Sequence, residues 1–96
     1  MFNAQFDTPV SQEQNVSFEV RMVRPDRKRP VVRRLFDREM PDVRSVQQLA
    51  GFLTHKLFGD NERGGNGTLY HVTVRSGELL DGFTVQRTHD GRYIQV

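Results

Sequence analysis

Residues 16–36 read Val-Ser-Phe-Glu-Val-Arg-Met-Val-Arg-Pro-Asp-Arg-Lys-Arg-Pro-Val-Val-Arg-Arg-Leu-Phe. Val16, Phe18, Val20 and Met22 alternate with Ser17, Glu19 and Arg21, the period of two that puts one face of a strand on a core and the other in water. Pro25 and Pro30 bracket Asp26-Arg27-Lys28-Arg29 and stop the pattern, because proline has no amide hydrogen to give a ladder. The β-branched and aromatic run Val31 to Phe36 then begins a second strand. Two such runs joined by a short charged tip predict an antiparallel hairpin.

Downstream of this hairpin the period changes. Ser45 and Gln48 have the spacing of a capping box, with Pro41 just before them, so a helix starts here. Val46, Leu49, Ala50, Leu53 and Leu57 share one face of it, widened by Phe52 and Phe58, and that face is expected to lie on the sheet. In particular, Val46, Leu49, Leu53 and Leu57 should be buried against Phe18, Val20, Val72 and Val74. Gly51 is tolerable in mid-helix if a strand side chain approaches it, and Gly59 marks the stop. Residues 59–67 hold four glycines among polar residues and read as a loop. Tyr70, Val72 and Val74 alternate with Leu69, His71 and Thr73 as a third strand. Ser76-Gly77 turns the chain, Glu78 to Gly82 reads as an irregular excursion, and Phe83 to Thr88 pairs with Arg92 to Val96. An Asp90-Gly91 two-residue turn would put Phe83, Val85, Ile94 and Val96 on one face.

Upstream, residues 1–15 are rich in Gln, Asn, Ser, Thr and Asp and carry Pro9, with no sustained period. They are read as a flexible N-terminal arm, and residues 16–96 as one domain. A chain of 96 residues, 35% hydrophobic and 27% charged, supports a modest core under a polar surface and has little room for an enclosed active-site cavity. The absence of cysteine excludes disulfides, a thiolate nucleophile and cysteine-ligated zinc. The start Met1-Phe2-Asn3-Ala4-Gln5 has neither a basic segment nor a long apolar run. An intracellular protein, cytoplasmic or nuclear and not secreted, is therefore expected, with no membrane segment.

The formal charge of +2 is unevenly spread. Between Arg21 and Arg44 nine basic residues face Asp26, Asp37, Glu39 and Asp42, a local excess of five, and the rest of the chain is mildly acidic. Arg21, Arg24, Arg27, Lys28, Arg29, Arg33 and Arg34 are the candidate binding residues, because guanidinium groups at a protruding tip suit phosphates or an acidic peptide. The competing interpretation is a solvated turn whose arginines pair weakly with Asp26, Asp37 and Glu39. No aromatic residue lies between Arg21 and Arg34 to stack bases.

Catalytic chemistry finds little support. His55, His71 and His89 fall on a helix, a strand and a turn with no close spacing, whereas zinc needs about four convergent ligands. The carboxylates are scattered among arginines and no nucleophile elbow is present. Arg63-Gly64-Gly65-Asn66-Gly67 leads into a strand rather than a helix and lacks a following Lys-Ser or Lys-Thr, so it reads as a linker rather than a phosphate loop.

The order ββαβββ is that of an α+β, ubiquitin-like β-grasp fold, in which a mixed sheet of four or five strands packs on one helix. Phe18-Glu19-Val20-Arg21-Met22-Val23-Arg24-Pro25, the segment Val43 to Leu57 and Tyr70-His71-Val72-Thr73-Val74 resemble one ubiquitin-like family, the RAWUL domain of Polycomb RING-finger proteins. That resemblance implies a protein-protein module without catalysis or cofactor, which docks short segments of other Polycomb-group subunits. Tyr93-Ile94-Gln95-Val96 contains no Gly-Gly pair, so a reader is expected and not a conjugated tag. The sequence thus points to a regulatory or adaptor subunit that binds a peptide or acidic surface of another protein. The alternative is a basic subunit contacting RNA or DNA within a larger particle. No cofactor, metal, small-molecule substrate or membrane is expected as a partner.

Overall fold

The computed structural model describes residues 16–37 and 41–96, leaving aside the side chains of residues 60–62. The arm expected over residues 1–15 lies outside the described residues. The elements run β1 (Val16–Val23), β2 (Val31–Asp37), α1 (Val46–Glu62), β3 (Leu69–Ser76), β4 (Leu79–Arg87) and β5 (Tyr93–Gln95). Among the described residues the fold is α+β, with one helix against a five-stranded sheet in the order β2-β1-β3-β4-β5.

All four ladders are antiparallel, which corrects the expectation of a mixed sheet. The reason lies in where the helical crossover returns the chain. β2 and β3 both run opposite to β1, so they are parallel to each other, but β1 lies between them and no parallel pair is hydrogen-bonded. Among the described residues, no helix is long and apolar enough to cross a membrane.

The inward face follows the alternation of each strand. Val16, Phe18, Val20 and Met22 of β1, Tyr70, Val72 and Val74 of β3, and Phe83 and Val85 of β4 are all buried. Onto them α1 lays Val46, Leu49, Ala50 and Leu53, joined near its end by Phe58. Leu57, expected in that row, is only half-buried, packed against the edge of the core. Phe58 takes the inner position, tilted against the Tyr70 ring at 6.2 Å between centroids. The helix begins as its sequence indicates: the Gln48 amide donates to Ser45 Oγ at 3.1 Å, and Gln48 Oε1 accepts from the Arg44 amide at 2.7 Å. Helical geometry breaks at Gly59, with φ 66°, before one more turn to Glu62.

Two local expectations are corrected. Glu78 to Gly82 is no irregular excursion: β4 starts at Leu79, pairing with Ser76, and Gly77-Glu78 alone makes the turn. In the last hairpin Tyr93 faces Arg87, Ile94 faces Gln86 and Gln95 faces Val85, so Tyr93 and Gln95, not Ile94 and Val96, share the Phe83 face. The slip comes from Gly91 at φ 84°, accepted only readily by glycine. Its amide donates to the Thr88 carbonyl at 3.1 Å while the Thr88 amide donates to Arg92 at 2.9 Å. His89-Asp90-Gly91 is therefore a turn plus a bulged glycine, one residue longer than a two-residue turn, and one residue inverts the faces of a strand.

Among the described residues, no second layer covers the opposite face of the sheet. Arg21, Thr73, His71 and Arg75 lie on it, exposed, flanked toward the sheet edges by the exposed Val32, Phe36 and Leu80.

Candidate binding site

The hairpin tip begins where β1 runs out. Arg24 continues the inward parity of Met22, and the chain then turns, with the Arg27 amide donating to the Arg24 carbonyl at 3.2 Å. Pro25 to Pro30 are all exposed. Met22 and Val31 are opposite each other in the last pair of the β1–β2 ladder. Together with Arg24, Arg27 and Arg29 they line a cavity of about 230 Å³, whose floor is aliphatic and whose other lining residues are all arginines.

On the other side of Arg24 is a larger cleft of about 410 Å³. Its walls are Arg24, Pro25 and Asp26 from the hairpin, and Arg63, Gly64, Gly65, Asn66 and Thr68 from the loop between α1 and β3. The β1–β3 ladder explains the meeting, because it pairs Val23 with Leu69 and so brings the residues after β1 beside those before β3. The loop is held from several sides. Gly67 and the Arg87 carbonyl bond at 2.8 Å, the Arg87 amide returns to the Thr68 carbonyl at 2.8 Å, and Thr68 donates to Gly65 at 3.1 Å. The Gly64 amide donates to the Tyr70 hydroxyl at 3.0 Å. Burial pushes the Tyr70 phenol above its ordinary pKa, so it stays a neutral hydroxyl that can accept this bond.

Gly64 is obligatory for a different reason: the Thr68 side chain, hydroxyl included, fills the space a Cβ would need. Thr68 itself is 1% exposed, and its hydroxyl has no hydrogen-bond partner among the described residues. Gly65, by contrast, is exposed, and open space surrounds the position of a Cβ.

The seven sequence-predicted residues therefore do not form one surface. Arg24, Arg27 and Arg29 come together around a single cavity. Lys28 is exposed on the same tip but lines neither hollow. Arg21 and Arg34 are on the open sheet face, where Arg34 pairs with Glu19 at 2.6 Å. Arg33 turns the other way, under the helix: its Nη1 donates to the Leu57 carbonyl at 2.6 Å and its guanidinium lies 5.1 Å from the Phe58 ring centroid. It serves the helix end, whose last carbonyls favour a cation. The supposed linker contributed what the charge count missed, Arg63 and the glycines beside it. Its pointer was topological, since only pairing β1 with β3 places residues 63–68 next to the hairpin.

Among the described residues no group of three or more His, Asp or Glu side chains could hold a metal ion. His71 Nδ1 shares a hydrogen bond of 2.8 Å with Thr84 Oγ1 on the open face. No protein-family model matches this chain, and no curated protein or solved structure matches it.

Proposed function

We propose that this chain is a non-enzymatic interaction module, a regulatory or adaptor subunit that takes an acidic segment of another protein at the hairpin end of its sheet. The observation that carries this reading is the cavity ringed by Arg24, Arg27 and Arg29 over Met22 and Val31. Guanidinium groups above an aliphatic floor suit a peptide that presents a carboxylate next to an apolar side chain. A nucleic-acid strand gains less there, because neither hollow is lined by an aromatic ring on which a base could stack. The ubiquitin-like reading is consistent with this function through the element order ββαβββ of the described residues, with a helix on one sheet face. The antiparallel course of every ladder separates this sheet from a mixed β-grasp sheet, so the proposal rests on the cavity and not on the family.

The test compares the wild type with a variant in which Arg27, Lys28 and Arg29 are all alanine, using the partner recovered from native lysate with and without nuclease. Stability should stay within about 0.5 kcal/mol, as for most exposed substitutions. Affinity for a nuclease-resistant partner should fall, and its dependence on salt should flatten. Unchanged affinity would return the hairpin to a solvated turn. Loss of the partner on nuclease treatment would instead favour the basic RNA- or DNA-contacting subunit.

A further inference from the structure

The cleft on the far side of Arg24 has a chemistry of its own. Two arginines from separate parts of the chain, Arg24 and Arg63, line one hollow of about 410 Å³, together with the Asn66 amide side chain and the side-chain-free Gly64 and Gly65. Thr68, also part of that wall, is 1% exposed, and its hydroxyl is packed against Gly64 and closed off from the hollow, so a ligand there meets Arg24, Arg63 and the exposed Gly65 and Asn66. Arg27 and Arg29 stand in the adjoining cavity, with Arg24 common to both.

We infer that this cleft is a phosphomonoester site, and that the partner segment is a phosphorylated serine or threonine peptide whose phosphate enters between Arg24 and Arg63. This inference rests on the proposed docking of an acidic segment at the adjoining cavity. A phosphomonoester carries about −1.5 to −2 charges at pH 7 and three terminal oxygens, which match the forks of two guanidinium groups. With Asp26 in the same wall the charged residues of the hollow still sum to a positive site, from which a dianion draws about twice the Coulomb attraction of a singly charged diester or carboxylate. The volume of the hollow also fits: it exceeds what a carboxylate fills and lies in the range of small-ligand pockets. The residue next to the phosphorylated one would place an aliphatic side chain on Met22 and Val31, flanked by an acidic residue at Arg27 and Arg29.

Gly65 offers a clean way to test this. It has no positive φ, and a Cβ added there meets nothing within 4 Å, so Gly65→Asp adds a carboxylate at the cleft wall with no clash at its Cβ, and Gly65→Ala serves as its control. The probes are the synthetic peptide Gly-phosphoSer-Leu-Asp-Glu-Gly, its unphosphorylated form, and a uridylate hexamer, titrated against the full chain up to about 1 mM while backbone amide shifts are followed. The phosphopeptide should bind about tenfold or more tightly than the unphosphorylated form, in line with the strength of charge-assisted hydrogen bonds. Its shifts should fall on residues 63–68 as well as 24–31. Gly65→Asp should remove the preference for phosphate while leaving the unphosphorylated peptide's weak binding in place, and Gly65→Ala should keep both. Equal affinity for the two peptides overturns the phosphate site, as does an unaltered preference in Gly65→Asp. Tighter binding of the uridylate hexamer overturns it in favour of a nucleic acid. Absence of any shift with the phosphopeptide also overturns it, whereas the docking reading is decided separately by the tip variant, in which Gly65 is untouched.

Discussion

The Tyr93 hydroxyl joins three elements. It accepts from Arg87 Nη1 at 2.6 Å and shares a 2.7 Å bond with Thr54 Oγ1, which in turn donates to the Gly51 carbonyl at 3.3 Å. The protons then run one way, from guanidinium to tyrosine to threonine to backbone. The ring adds an edge contact to Tyr70 at 5.7 Å and lies 5.2 Å beneath the Arg87 guanidinium. Tyr93→Phe keeps the ring and deletes the relay, so it should cost about 1 to 3 kcal/mol, the range for a buried bond with a charged donor. Urea unfolding with an unchanged slope would measure it, and a loss below about 0.3 kcal/mol would mean the relay does not hold β5. Little at this scale could be read from the sequence. Val31-Val32-Arg33-Arg34-Leu35-Phe36 does not alternate, so nothing local says which arginine turns inward; the Leu57 carbonyl, distant in sequence, decides it. Gly51 was expected to admit a strand side chain, and Tyr93 is that side chain. Its ring would sit 3.9 Å from an added Cβ, an ordinary contact and not a forced approach.

At the scale of elements, what periodicity states clearly the structure repeats. β1 and β3 alternate and bury the expected faces, and the capping residues start α1 where Ser45 and Gln48 stand. Leu53 is fully buried in the middle of the row that α1 lays on the sheet. Leu53→Ala should therefore cost about 2 to 5 kcal/mol, through lost transfer energy and the cavity left behind. A thermal or denaturant melt within about 0.5 kcal/mol of wild type would mean that α1 packs by another face. The last hairpin was illegible for a definite reason. Asp-Gly suits both a two-residue turn and a three-residue loop with a bulged glycine, and Thr88 chose the second by bonding across to Arg92. The candidate site was half legible. Its hairpin wall is a charge cluster visible in one segment, while its loop wall exists only after β1 and β3 pair.

At the scale of the whole molecule, α1 covers one face of the sheet, and β1, the earliest of the described elements, is also an inner strand of the sheet. Its ladder with β2 closes across a short tip, but its ladder with β3 must join Val16 to Ser76 and Val23 to Leu69, with β2 and the whole helix in between. That arrangement orders events in time. The β1–β2 and β3–β4 hairpins can form locally within about 1–10 μs, whereas the β1–β3 junction must close a long loop before its contacts repay the lost entropy. The barrier to folding should lie at that junction, with an overall rate in the millisecond-to-second range of sheet proteins. Val72→Ala, at the centre of the junction, should slow refolding and give a φ-value of about 0.5 or more, while Tyr93→Phe, on the late-docking β5, should chiefly speed unfolding with a φ-value of about 0.3 or less. Stopped-flow chevrons on the two variants read this directly, and the reverse pattern would place the nucleus in the final hairpin. The same junction also creates the cleft between residues 24–26 and 63–68. A half-folded chain with both hairpins made but β1 and β3 unjoined would thus show an exposed basic tip with no cleft beside it, and the second binding wall would arrive only at the barrier crossing.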